Sequence, residues 1–293
     1  MNIHGIFPPI TTPFDDREAI DLAALRFNLA RWMKSRVTGV VVLGSNGEAP
    51  LVSEEEGFRL VAAAREAVPR DRVLIAGAGE ESTRATIAGA RRVADAGADA
   101  VLVRTPAYFK TQLTQEVFIR HFTAVADASP VPVIMYNAAP FTGVNLLPPA
   151  VARLAEHKNI IGIKETSADI AQVTEFVTVT PPDFQVVVGS LPTLYASLSV
   201  GAVGGIVAGA NVVPDLCVQL YDLVQEKKHA EALALQRRLT AFARAVTTTF
   251  GPGGLKAAMD LAGYVGGKPR APLPPATSEA IEIIRKLLAA LTS

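Results

Sequence analysis

The chain has 293 residues, 49% of them hydrophobic, with 28 basic against 28 acidic side chains and a pI near 6.9. That length supports one large core or two ordinary domains, and the balanced charge leaves no electrostatic footprint for nucleic acid or an anionic membrane surface. A single cysteine, Cys217, excludes an internal disulfide, and four scattered histidines (His4, His121, His157, His229) with no cysteine pair argue against a dedicated zinc or iron site.

The start, MNIHGIFPPITTPF, lacks the basic residues and long apolar block of a signal peptide, so a cytoplasmic protein is expected. Short β-branched runs then recur in chain order: GIFPPITTP, GVVVLGS, RVLIAGA, AVLVRTP, VPVIMYN, IIGIKE, FQVVVGS and GGIVAGAN. Helical stretches such as DLAALRFNLARWMKS, SEEEGFRLVAAAREAV and STRATIAGARRVADAG lie between them. Ser53 ahead of three glutamates is an N-cap signature, and Gly97 reads as a C-cap. The uncharged span between Asp183 and Asp215 is long enough to cross a bilayer. Its Gly-Ser, Leu-Pro and Gly-Gly breaks instead predict strand, short helix, strand.

After residue 214 the strands stop. PDLCVQLYDLVQEKKHAEALALQRRLTAFARAV reads as nearly uninterrupted helix with Cys217 buried in it, followed by the glycine-rich FGPGGLKAAMDLAGYVGGKPRAPLPP and a last helix, TSEAIEIIRKLLAALTS. The apolar strands are continuous rather than alternating, the pattern of parallel strands covered on both faces. Eight strand–helix units predict an α/β fold, a (β/α)8 TIM barrel over 1–214 with a helical C-terminal extension over 215–293. The nearest thing to a nucleotide turn, GAGEES, lacks the third glycine and reads as an ordinary turn.

Chemistry in such a barrel sits at the C-terminal ends of the strands. Those ends carry Gly44-Ser45-Asn46-Gly47-Glu48, Thr105-Pro106-Ala107-Tyr108, Tyr136-Asn137, Lys164-Glu165-Thr166, Gly189-Ser190 and Gly209-Ala210-Asn211. An amine in a dry pocket attacks a ketone to form an imine, which draws electrons from the neighbouring carbon and permits carbon–carbon cleavage or condensation. A tyrosine moves the protons, and glycine-flanked Ser45 and Asn46 offer donors to the carboxylate of a 2-oxo acid. Alone, each residue has an ordinary reading: Lys164 as a solvated strand-end lysine, Tyr136 and Tyr108 as packing residues, GSNGE as a turn, Phe109 and Met135 as core. Nucleophile, proton shuttle and anion cradle on three strand ends of one barrel are harder to reach by chance.

These residues resemble the dihydrodipicolinate synthase/N-acetylneuraminate lyase (DapA) family of class I aldolases over essentially the whole chain, from GIFPPITTPF to RAPL. Gly44-Ser45-Asn46-Gly47-Glu48 is similar to the family's G-[ST]-x-G-E carboxylate loop. Tyr136-Asn137 with Thr142-Gly143 resembles its catalytic-tyrosine segment, and GIKET at 162–166 its Schiff-base segment. The resemblance implies a (β/α)8 barrel with a helical C-terminal part, no cofactor or metal, and a homotetramer built as a dimer of dimers. It implies that Lys164 forms the imine with pyruvate and that Tyr136 relays protons. Ser45 and Tyr108 would complete the relay, Tyr108 by crossing the dimer interface into the neighbouring site. Gly189 and Ile206 match positions whose backbone lines the pocket.

Synthases of the family carry an arginine just before the Thr-Gly to hold the second substrate's carboxylate; here that substrate-binding position is Phe141, whose ring supplies no charge-assisted hydrogen bond. Asn46 stands where synthases usually have threonine. GSNGE, AGAGEEST, FGPGGLKAAMDLAGYVGGKPRAPL and Thr166 look most similar to 4-hydroxy-2-oxoglutarate aldolases, which implies that Asn46 and Thr166 bind the distal part of the substrate. The expectation is therefore a lyase that cleaves a 4-hydroxy-2-oxo acid to pyruvate and an aldehyde, glyoxylate by the closest resemblance. The alternatives are dihydrodipicolinate synthase, which condenses pyruvate with aspartate semialdehyde, and a 2-keto-3-deoxy-sugar-acid aldolase. A non-catalytic 2-oxo-acid sensor is the remaining reading, and the complete lysine–tyrosine–serine set counts against it.

Overall fold

The structure, a computed structural model, describes residues 1–292; Ser293, the last residue of the expected C-terminal part, lies outside them. Eight strands follow the predicted runs: β1 (Gly5–Phe7), β2 (Gly39–Val42), β3 (Val73–Gly77), β4 (Ala100–Arg104), β5 (Val133–Asn137), β6 (Ile160–Glu165), β7 (Gln185–Val188) and β8 (Gly204–Ile206). They form one eight-stranded parallel sheet in the order β1-β8-β7-β6-β5-β4-β3-β2. The sheet closes between β1 and β2 through a bridge at Pro9 and Val41: the Val41 amide donates to the Pro8 carbonyl (3.0 Å) and Ile10 to Val41 (2.9 Å). Pro8 and Pro9 have no N–H to give, which limits the hydrogen bonding of the chain after β1.

The connecting helices are α1 (Leu22–Trp32), α2 (Glu54–Ala67), α3 (Thr83–Asp95), α4 (Gln115–Ala128), the single turn α5 (Ala139–Thr142), α6 (Pro148–Ala155), α7 (Ile170–Val179) and α8 (Leu194–Ser199). Their starts are set locally. Ser53 and Glu56 make a reciprocal capping box at α2, and Asp169 caps α7 by accepting from the Gln172 amide (3.2 Å). The end of α3 falls at Ala96, and Gly97 sits one residue beyond it at φ 103°, a conformation only glycine adopts cheaply. The uncharged span parses into β7, α8 and β8 as expected, and among the described residues no helix is long and apolar enough to cross a membrane.

Alternation along each strand divides the core. Phe7, Val41, Ile75, Leu102, Ile134, Val187 and Ile206 fill the barrel. Val40, Val42, Val101, Val103, Val133, Met135, Ile163, Val186 and Val188 face the helices. The same rule sends Tyr136 inward above Ile134 while Asn137 and Glu165 face out.

Beyond β8 come α9 (Pro214–Gln225), α10 (His229–Arg244), α11 (Gly251–Leu261) and α12 (Ser278–Thr292). One expectation changes here. The long helical run breaks at 226–228, where Lys227 turns left-handed at φ 60°. The first part of the glycine-rich segment forms a helix, α11, and the remainder to Pro275 is irregular. Pro252 lies in the first turn of α11, where its missing N–H costs nothing, and a Cβ on Gly253 or Gly254 would fall 2.5 Å from the Pro274 carbonyl or 2.4 Å from Phe250 Cβ. Those glycines admit a neighbour rather than interrupt a helix. Cys217 is fully buried in α9, and burial raises its thiol far above the usual range.

Candidate active site

Adjacent strands bring the two principal candidates together. Tyr136 on β5 and Lys164 on β6 are register partners, 5% and 4% exposed, and the Lys164 ammonium lies 4.3 Å from the centre of the Tyr136 ring. The Tyr136 hydroxyl is 3.2 Å from Ser45 Oγ, so Lys164, Tyr136 and Ser45 form one continuous set. After β2 the chain makes a tight turn over Ser45–Gly47, closed by Gly47 N–H donating to Gly44 O (3.0 Å) and Glu48 N–H to Ser45 O (3.1 Å). Among the described residues the leading amides of this turn, those of Ser45 and Asn46, have no turn or loop backbone partner, the arrangement in which a turn offers N–H groups to an anion.

Gly189, just past β7, explains how Lys164 fits. A Cβ there would lie 3.1 Å from Lys164 Cε and 2.3 Å from Thr166 Oγ1. Among the described residues Thr166 Oγ1 is buried without a hydrogen-bond partner, close to the Lys164 side chain across Gly189. Ile206 is buried in the same inward cluster as Tyr136. A cavity of about 350 Å³ opens beside Ser45 and Tyr136 and runs outward past Gly77, Glu80 and Arg92.

Two expected participants stand apart. Tyr108 is 79% exposed and its ring packs edge-on against Phe109 at 5.0 Å, so within one protomer it does not join the Ser45–Tyr136 pair. Phe109, expected in the core, is 70% exposed: it lies on the open loop after β4, and hydrophobicity alone misplaces it. Phe141 is 68% exposed on α5. Opposite the same turn, the Lys110 amine sits where a Cβ on Gly143 would be 2.8 Å away, so a cation does stand at the turn that Phe141 leaves uncharged.

Three supporting groups escaped the sequence reading. Glu165, 1% exposed and pointing outward behind Lys164, accepts from Asn137 Nδ2 (2.6 Å), Gln172 Nε2 (2.8 Å) and the Ser167 amide (2.5 Å), tying the ends of β5 and β6 to α7. Glu81, in the turn read as ordinary, accepts from the amides of Ala107 and Tyr108 (both 2.9 Å) and pairs with Arg104 at 2.8 Å. Its carboxyl sits below the usual range: these hydrogen bonds and Arg104 outweigh the burial that by itself raises it. Glu48, last residue of the carboxylate turn, is fully buried against Lys256 of α11. The partners of Glu81 and Glu48 leave no local sequence signal, because both sets of contacts span long chain separations.

Comparison with known proteins covers the whole chain. The model of the dihydrodipicolinate synthetase family matches residues 2–291. The 4-hydroxy-tetrahydrodipicolinate synthase of Methanopyrus kandleri is 36% identical over 290 residues, 98% of this chain and 96% of that protein. The protein of the same name from Thermotoga neapolitana is 35% identical over 292 residues, 97% of each. Among solved structures, dihydrodipicolinate synthase from Thermotoga maritima superposes with a TM-score of 0.95 at 32% identity, covering 99% of this chain and 98% of that one. YagE, a prophage protein of the dihydrodipicolinic acid synthase family from E. coli K12 solved in complex with pyruvate, gives 0.93 at 29% identity, covering 99% of each.

Proposed function

The chain belongs to the dihydrodipicolinate synthetase family, and from that premise we propose that it is a metal-independent class I pyruvate enzyme working through an imine on Lys164. The observation that carries the reading is the pairing of a buried lysine with Tyr136 and, through its hydroxyl, with Ser45. The Ser45 and Asn46 amides receive the pyruvate carboxylate, and the neutral Lys164 amine attacks C2. A proton delivered through Tyr136 lets the oxygen leave as water, giving the protonated imine. Loss of a proton from C3 makes the enamine, which adds to an aldehyde; water then releases the product and the free lysine.

For the second substrate, the relatives' shared name shifts the balance from cleavage of 4-hydroxy-2-oxoglutarate to the alternative, condensation of pyruvate with aspartate semialdehyde. Lys110 beside Gly143 is a candidate for the charge that an arginine at position 141 would have supplied. The aldolase reading keeps one specific support, the apolar Phe141, together with the unpartnered Thr166 hydroxyl. We also propose that a second copy covers the face bearing Tyr108 and Phe109 and receives Tyr108 into its site, giving a homo-oligomer. Borohydride reduction with pyruvate should leave an adduct on Lys164, and an unmodified Lys164 in folded protein refutes the mechanism. Rates with aspartate semialdehyde against cleavage of 4-hydroxy-2-oxo acids of increasing length then decide between the two substrates.

A further inference from the structure

The carboxylate turn ends on a residue whose own charge has the wrong sign for its ligand. Glu48 does not face the anion site: it is 2% exposed, held left-handed at φ 57°, and both its oxygens are committed. Oε1 lies 2.6 Å from Lys256 Nζ and Oε2 accepts the Arg270 amide at 2.8 Å. Lys256 is equally enclosed at 0% exposure; its ammonium also donates to the Lys268 carbonyl (2.9 Å) and rests 4.5 Å from the centre of the Phe14 ring. A third hold comes from the β1–α1 loop, where Thr12 Oγ1 donates to the Gly47 carbonyl at 2.6 Å.

The turn is thus clasped from the C-terminal part on one side, while its leading residue, Ser45, meets Tyr136 on the other. A buried ion pair is a poor way to gain stability, since well-packed apolar residues serve as well or better; its attested use, in some proteins, is to fix geometry. The left-handed backbone at Glu48 is strained for a residue with a Cβ and persists only where its surroundings hold it. We infer that Glu48 and Lys256 are positioning residues: α11 sets, through this buried pair, where the Ser45–Asn46 turn stands and so how tightly the site takes the carboxylate of a 2-oxo acid. The inference rests on the imine reading of Lys164.

The double variant Glu48→Gln/Lys256→Met removes both charges and leaves none unpaired. Adduct formation on Lys164 is titrated with pyruvate under borohydride, beside hydrogen exchange of residues 44–51 and thermal unfolding. The expected result is a cooperative fold, faster exchange in the turn alone, and half-saturating pyruvate raised about tenfold with the same adduct at saturation, the size a displacement well under 1 Å produces. Wild-type half-saturation in the folded variant overturns the inference and leaves the imine reading standing. Wild-type protein that forms no adduct overturns both. If the double variant does not fold, Glu48→Asp retains the charge but draws the turn back by one methylene; a rise of about threefold or more supports positioning, and no change refutes it.

Discussion

Gly189→Ala is the sharpest probe of how the lysine is seated. Gly189 is half-buried and not in the left-handed region, so alanine takes its backbone conformation without strain. The added methyl, however, would stand 2.3 Å from Thr166 Oγ1, 3.0 Å from Thr166 Cγ2 and 3.1 Å from Lys164 Cε. Thr166 must rotate and Lys164 must withdraw by a few tenths of an ångström. Forcing a side chain off its rotamer costs about 0.5–1.5 kcal/mol, or up to about tenfold in rate. Misplacing a nucleophile toward 1 Å costs about a hundredfold. Adduct formation with pyruvate and kcat/KM should therefore fall by about 10- to 100-fold, while the midpoint of thermal unfolding shifts by only a few degrees. The readouts are intact mass after borohydride quenching at timed intervals and a melting curve. Wild-type trapping by Gly189→Ala refutes the placement of Lys164 against β7; loss of folding refutes the argument that the methyl is felt only by the two site residues.

Tyr136→Phe removes the hydroxyl that meets Ser45 and should lower kcat about 10²- to 10⁴-fold by loss of proton transfer, with little change in melting temperature; steady-state kinetics with unchanged kcat would exclude Tyr136 from the relay. Glu165→Gln turns a carboxylate that accepts three hydrogen bonds into an amide with donors of its own, so unfolding free energy should drop by about 2–3 kcal/mol in urea titrations, and a neutral effect would deny the network its structural role. His121 is 4% exposed, and burial first, then the charge of Arg104, pushes its imidazole down to about 4. Because the unfolded chain binds that proton from about pH 6.5 and the folded chain does not until about 4, stability should decline as pH falls through this window, by up to about 3 kcal/mol. His121→Leu should flatten that decline in melting curves run from pH 7 to pH 4.5, and an unchanged slope would assign the acid sensitivity to other groups.

What could be read from the sequence was whatever a short local pattern determines. Continuous Val and Ile runs announce strands covered on both faces, and eight of them announce a closed barrel; Lys164 and Tyr136 are legible because strand ends must converge on one face. The errors share a cause. Gly251-Pro252-Gly253-Gly254 carries little helical signal because glycine lowers helix propensity, yet α11 starts there, and the missing Cβ of Gly253 lets the 274–276 segment pack against it. Phe109 looks like core because hydrophobicity does not distinguish an inward residue from one standing on an exposed loop. Glu48 reads as the end of a turn motif, and nothing near it in the chain discloses that its counter-charge arrives from α11. Local pattern says which way a side chain must point. It does not say which distant group will satisfy it once buried: the turn after β2 ends on Glu48, and the charge that meets it comes from Lys256, far along the chain.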